Sequence, residues 1–579
     1  VSITSSIPPG AGSVTLATAT PVVSQADAMI QPGLTAPGQV PGWGFNGSGL
    51  FKNLETFSGQ VQYTPPKLSA RQEGKMARRD AVRAARHAER TSEHIRGSLD
   101  RKTDMVVGAG LRVHAQPDWD ALGLNDGEDG WKTKKPFAQA CQREFNNWAN
   151  DNRLLQDGEG HYNFGGMMWM AFRNLIGPDA ECAGIIHYDE DRQREYNANW
   201  ATFVTIVDPD RIETPPEEVD KTIDRNGYEV FEGKKLDKHG RMLGFWVSKK
   251  HPSEGASTAS EFGHVFVPRE TSWGRAMSFH FFMKTRAGQQ RGVTALTTIL
   301  RTAGNIDKLD DAMIGSAIVQ SVLSNYIKTL ASPETVAEQL SPAGSTGVSP
   351  WDQKLDYYGK AKITIGGTRI PVMPPGDEIQ MSAVNRAVQD PSNFRNGFLR
   401  QMASALGVSF ETLSMNFSET NYSSARAALL EVWRGVISMR KMFTAHVASL
   451  IYAAVIEEAI YKGRIQLPPG APPFQENRAA YTACAWTGPG MGWIDPQKEA
   501  GAIEKMLQMK IKSRSQVVGE MDGGDYLETF DQIEQERFEA EERNFSLDPL
   551  APGTPGAEAE TGEGSGDENE PANPPAKED

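Results

Sequence analysis

The stretch NFSETNYSSARAALLEVW, residues 416–433, joins a polar loop to the head of a long segment with an apolar stripe. Asn416, Ser418, Thr420, Asn421, Ser423 and Ser424 carry short polar side chains. Such side chains bond backbone locally and favour turns and helix N-termini over helix interiors. Beyond them Leu429, Leu430, Trp433, Val436, Ile437, Phe443, Val447, Leu450, Ile451, Ala454 and Val455 recur at helical spacing. This periodicity predicts one helix from Ser424 to about Tyr461, roughly 55 Å long at about 1.5 Å per residue. A helix of that length outruns a small domain and predicts an elongated spine. Upstream, FRNGFLRQMASAL reads as a short helix and GVSFETLSMNFSETNYS, residues 407–423, as a loop. The loop is longer than an ordinary connection, and loops of that length tend to be functional or disordered.

Working outward, the chain changes character several times. The 579 residues are too many for one ordinary core, so several domains are expected. Residues 1–70 are rich in Pro, Gly, Ser and Thr and predict a flexible arm. Residues 71–108 read as basic helix. CAGIIHY, ATFVTIVD and GFWVSKK, separated by DRNG, DKHG and SEG turns, predict strands across 181–285. Helical spacing returns at Leu296, Ile299, Leu300, Ala303, Ile306, Leu309 and Met313. Gly304 and Gly315 suggest a break into two helices there. KITIGG and TRIPVM carry β signal inside a Pro/Gly-punctuated segment, 331–391. A last helical region spans 495–545, opened by the cap pair Asp495-Pro496. The segment 549–579 is Pro/Gly/Glu-rich and expected to be disordered.

Charge narrows the function classes. The net charge is −14, and the segment 549–579 supplies half of it. A mildly acidic remainder is not built to grip nucleic acid tightly, since that needs clustered Lys and Arg. The basic stretch 75–104 reads first as a solvated helix face with i,i+4 pairs, and second as a DNA-contacting face. Cys141, Cys182 and Cys484 are too scattered for a disulfide framework or a CxxC site, which fits a reducing compartment. No long uninterrupted apolar run and no secretory leader are read, so no membrane partner is expected.

Catalytic motifs are missing. There is no GxxxxGK[ST], HExxH or GxSxG. His161 and His187 read as structural before they read as ligands. Asp189, Glu190 and Asp191 read as a solvated turn before a metal site. NDGEDG at 125–130 resembles a calcium loop but has Phe137 where the final Glu is required. No catalytic residue, cofactor or metal is therefore assigned.

Several stretches together resemble the lambda-type portal proteins of tailed bacteriophages. They are ERTSEHIRGSLDRKTDMVVGAGLRVHAQP (89–117), VDPDRI (207–212), RAGQQRGVTAL (286–296), the block Phe394 to Arg434, and WIDPQKEAGA (493–502). They occur in family order over about 70–545, whereas 344–391 fits the pattern poorly.

The resemblance implies an α+β, mainly helical chain with a portal-type fold: wing, stem, clip and crown around a central channel. It implies a homo-oligomeric ring, typically of twelve subunits, at one capsid vertex. Double-stranded DNA would enter through it during packaging and leave during ejection. On this scheme 71–289 forms the wing, 290–330 and 392–406 the stem, and 331–391 the clip. Residues 407–423 form the tunnel loop, 424–461 a wing spine, and 462–548 the crown and remaining wing. Implied partners are the terminase large subunit, head-completion and connector proteins, and the major capsid and scaffold proteins. The implied location is the virion, with host cytoplasm during assembly. The channel loop would present Asn416, Ser418, Glu419, Thr420, Asn421, Tyr422, Ser423 and Arg426 to passing DNA. The alternatives are another capsid or connector protein, or a metal-dependent nuclease built from carboxylate clusters.

Overall fold

The computed structural model describes residues 67–124, 130–218, 220, 227–254, 263–323, 364–365, 368–369, 391–418, 422–492, 496–521, 524 and 526–543. Ser69 caps the first helix, α1 (Ala70–Thr91), by accepting from the Gln72 N–H. Ser92 is extended and separates α1 from α2 (Glu93–Val106). α2 ends at the VVGAGLR turn, where Gly108 adopts φ +57°. A Cβ there would also lie 2.1 Å from Pro489 Cγ, so only glycine fits.

Arg79, Arg83 and Arg90 of α1 are solvent-exposed, as the sequence suggested, but four other cations of the helix leave that face for distant partners rather than i,i+4 pairs. Arg71 pairs with Glu229 at 2.7 Å, Lys75 with Asp220 at 2.5 Å, and Arg78 with Glu181 at 2.9 Å. Arg86 reaches Asp179 and Asp210, each at 2.7 Å. All of these acids lie far away in sequence. The helix is therefore strapped to the β-rich region, because its small residues Ala77, Ala81 and Ala85 let it approach closely.

The β-rich region holds two antiparallel sheets among the described residues. One has the order β3 (Thr202–Val207), β2 (Glu181–Tyr188), β8 (Ser278–Phe282). The other runs β4 (Glu229–Phe231), β5 (Lys234–Leu236), β6 (Met242–Ser248), β7 (His264–Pro268). Phe231, Leu236, Phe245 and Val247 pack with Ala183 and Val207 to join the sheets in one small core. A larger core lies among the helices α3 (Gly130–Ala149), α4 (Phe164–Ile176) and the long helical region described next. β1 (Arg112–Ala115) pairs with β11 (Cys484–Thr487) beside it.

The predicted long helix is present. α9 (Tyr422–Phe443) continues through a π-helical turn, Thr444–Ala448, into α10 (Ser449–Tyr461). The His446 ring stacks on Phe281 of β8 at 4.3 Å within that turn. Ser424–Tyr461 is the one described helix long and apolar enough by composition to cross a membrane, and 61% of its apolar window is buried inside the protein. The buried residues include Ile451, Tyr452, Val455 and Ile456.

Glu458 of α10 ties the spine to β3. Its carboxylate accepts from the Ala201 and Thr202 amides, each at 2.8 Å, and pairs with Lys462 at 2.9 Å. Burial would raise its pKa, but these amides and Lys462 hold it below the usual carboxylate value. Glu458→Ala orphans both buried amides and is expected to cost about 2–6 kcal/mol, at roughly 1–3 per unsatisfied group. A urea midpoint that hardly moves would show that water replaces the carboxylate.

Two further expectations are corrected. A helix α6 (Leu300–Leu323) runs through Gly304 and Gly315 without a break, preceded by a short turn at Ala295–Thr298. Each glycine costs only about 1 kcal/mol in a helix, and α7 (Pro391–Leu406) packs alongside, with Arg395 and Asp310 3.2 Å apart. Along α6 none of the side chains from 307 to 318 is buried, and Met313 and Ile314 are exposed. The loop 407–423 is the second correction: it contains a short helix, α8 (Phe410–Ser414). The β signal in 331–391 is seen as a small hairpin, β9 (Thr364–Ile365) and β10 (Thr368–Arg369). The rest of that segment, the arm 1–66, residues 125–129 of NDGEDG and the segment 549–579 lie outside the described residues.

Candidate functional site

The loop is built from both ends by capping. α7 ends at Gly407, which takes φ +67°. The Val408 amide then donates to Ala403 O at 3.1 Å, a glycine C-cap. Ser409 N-caps α8, accepting from the Thr412 amide at 3.1 Å, and the two hydroxyls meet at 2.9 Å. Leu413 is buried. Ser409 and Thr412 are thus the signal by which the sequence could have revealed this turn.

Beneath the loop lies the C-terminal half of α2. The Lys102 ammonium donates to Leu406 O at 2.7 Å and the Arg101 guanidinium to Leu413 O at 3.4 Å. Burial lowers the Lys102 pKa. The Arg400 guanidinium sits over the Phe410 ring at 4.9 Å. Arg440 of the spine donates to Val106 O and Met105 O, each at 2.8 Å, so it covers the C-terminal carbonyls of α2. Burial lowers its pKa to about 10.

The tip is short and pre-shaped. Met415 takes φ 54°, a left-handed conformation rare outside glycine. Asn416 Oδ1 accepts from the Ser418 amide at 3.0 Å and from its hydroxyl at 2.6 Å, closing an Asx turn. Asn416 and Ser418 are both exposed, but part of their bonding capacity is spent on the loop itself. Glu419, Thr420 and Asn421 lie outside the described residues, and Tyr422 and Ser423 begin α9. Arg426 pairs with Glu499 at 2.5 Å, on α11 (Pro496–Gln508), so its charge is matched within the chain. Met415 and Phe417 were missed by the sequence reading, yet they are 60% and 52% exposed at the tip. Their alternation with Asn416 and Ser418 is the only signal for them.

The other sequence candidates sit elsewhere. The His187 ring stacks on Phe203 at 4.5 Å, and burial lowers its pKa. His161 packs edge-on against Tyr162. Asp189 N-caps a short helix, α5 (Glu190–Glu195), and Phe137 is core. Among the described residues Asp208, Asp210 and His251 converge closely enough to hold a cation. Arg86 already supplies positive charge to both carboxylates, at 3.4 Å and 2.7 Å.

A buried charge hub was not read from the sequence. Glu181, fully buried at the start of β2, faces Arg291 with contacts from 2.5 to 3.0 Å. Arg78 at 2.9 Å, His280 at 3.2 Å and the Gly292 amide at 3.0 Å complete its shell. Arg291 also donates to Ile212 O, Glu232 O and Pro209 O. Two of the family-like stretches, VDPDRI and RAGQQRGVTAL, therefore meet on the Arg291 guanidinium, which the first holds through Pro209 O and Ile212 O.

Residues 59–440 match the family model for phage portal protein, lambda family. The chain belongs to that family. Among curated relatives, the portal protein of Escherichia phage N15 is 27% identical over 471 residues, covering 80% of this chain and 84% of the relative. Portal protein B of Escherichia phage lambda is 26% identical over 473 residues, with the same coverage. A chain from the neck of a native GTA particle, a structure computed with C12 symmetry, is 11% identical and covers 72% of this portal-family chain and 96% of its own length. Its TM-score of 0.29 is too low to establish a shared fold.

Proposed function

We propose that this chain forms a closed ring at one vertex of a phage capsid, and that double-stranded DNA passes through it during packaging and ejection. The observation that carries this is the family match over residues 59–440, which includes the whole loop 407–423. Portal proteins are structural, and the role proposed here needs no catalytic residue, cofactor or metal. The terminase large subunit would dock on the clip, 331–391, and head-completion proteins would follow it. Coat and scaffold proteins would hold the ring in the shell. Assembly would take place in the host cytoplasm.

The loop 407–423 would reach into the channel. The cations nearest its tip are engaged: Arg101 and Lys102 on backbone carbonyls, Arg426 on Glu499. Such a tip offers a sliding duplex weak contacts from Met415, Asn416, Phe417 and Ser418 and no fixed phosphate clamp. A transit channel needs this, because every sequence must pass and tight phosphate binding would stall it. Exposed Phe530, Ile533 and Phe538 on α12 (Tyr526–Glu542) suit a chain whose apolar surface is covered by a neighbour.

The test is the mass and shape of the purified protein by mass photometry with negative-stain imaging. Twelve chains of 63.4 kDa give about 760 kDa with a central hole, as closed head-to-tail assembly requires. A species that stays monomeric or dimeric even with scaffold and coat proteins present would overturn the proposal.

A further inference from the structure

We infer that the outward face of α1 is a docking strip for the chain's own acidic segment, 549–579. Arg79, Arg83 and Arg90 are all exposed, and none has an ion pair among the described residues. Their spacing places them within one narrow strip of the helix, opposite the buried Ala77, Ala81, Ala85 and Ala88. The other basic side chains of α1 behave differently: Arg71, Lys75, Arg78 and Arg86 each hold a distant carboxylate. The acids of α1 do not neutralise the strip, since Glu73 pairs with Arg286, Glu89 with Arg173, and Asp80 lies on the flank.

The occupant is argued from charge and reach. Residues 549–579 carry Glu558, Glu560, Glu563, Asp567, Glu568, Glu570, Glu578 and Asp579 against Lys577 alone. Their composition predicts no packed core to hold them elsewhere. A chain running from 544 to 579 spans roughly 120 Å extended and about 35 Å as a coil. Tethering sets an effective concentration on the order of millimolar. Duplex DNA fits the strip less well. Three arginines neutralise about three phosphates, where firm binding uses roughly six to ten, and the rest of the chain is net acidic. The contact would keep an exposed cationic strip from trapping the genome outside the channel.

The experiment uses the full chain and one truncated before Pro549, each in the assembled state. With Arg83→Lys in the full chain, a zero-length carbodiimide reagent is expected to join the new amine to peptides from 558–579, and 1 M salt should abolish the product by screening. The truncated chain should bind a short duplex about tenfold more tightly than the full chain at low salt. Adding Arg79→Ser, Arg83→Ser and Arg90→Ser should remove that gain and reduce the salt slope by about 2–3. The proposal is overturned if no such cross-link forms, or if the full and truncated chains bind duplex equally. Equal binding that the triple substitution weakens would make DNA itself the occupant.

Discussion

Glu181→Gln is expected to remove about 3–5 kcal/mol of stability, the cost of breaking a buried ion pair while leaving its partners in place. The substitution keeps the shape and deletes the charge. Arg291 and Arg78 then stay buried beside a neutral amide, with Arg291 still anchored to three backbone carbonyls. Since native stability is commonly about 5–15 kcal/mol, much of it would go. The midpoint and slope of chemical unfolding would measure this; a loss below about 1 kcal/mol would mean that the hub is solvated and relaxes.

The same hub sets the acid limit. Burial alone would raise the Glu181 pKa, but Arg291, then His280 and Arg78, hold it well below the usual carboxylate range. That stability is present above the unfolded-state carboxylate pKa and is lost as pH falls toward the lower folded value. His280 adds an earlier loss. Burial and then Lys234 push its pKa down to about 4, so it is neutral in the folded chain at neutral pH. The unfolded imidazole takes up a proton near pH 6.5, so stability falls from there toward pH 4, by up to about 3 kcal/mol. His280→Asn should flatten this limb of the stability profile. An unchanged limb would place the acid sensitivity elsewhere.

Excising residues 415–421, with two glycines closing the gap, is expected to leave rings intact and yield mostly empty heads. The cut spares α8, Ser409 and the contacts of Arg101 and Lys102, so the scaffold under the loop survives. It removes the whole tip, including Met415 and Phe417. Asn416→Ala should give a milder defect, because it opens the Asx turn without deleting the tip's surface. Counting filled and empty particles by electron microscopy separates the outcomes. Full heads that retain their genome would end the DNA-contact role for this loop, whereas failure to form rings would show it to be structural.

The parts legible in the sequence share one property: their signal is local. The spine from Ser424 to Tyr461 was readable because apolar side chains return every three or four residues on any helix that buries one side. The strands around CAGIIHY and GFWVSKK were readable from alternation and turn residues. The helix inside 407–423 was missed because its N-cap Ser409 and the Thr412 it holds look like loop residues until Leu413 is buried beside them. Gly304 and Gly315 misled for the converse reason, since a propensity cost of about 1 kcal/mol each is too small to break a helix.

What the sequence determined by itself is therefore the order of the elements, the spine and, through motif order, the family. The tertiary structure alone decided how the charges are used. Arg78, Glu181, His280 and Arg291 are scattered along the chain, and no spacing rule links them. Only the folded chain brings them within hydrogen-bond distance, where loss of water makes each charge depend on the others. The same holds for Arg426, the base that follows the loop in sequence, which the fold turns toward Glu499. It holds also for α1, whose cations separate into buried straps and an exposed strip only once the sheets are in place.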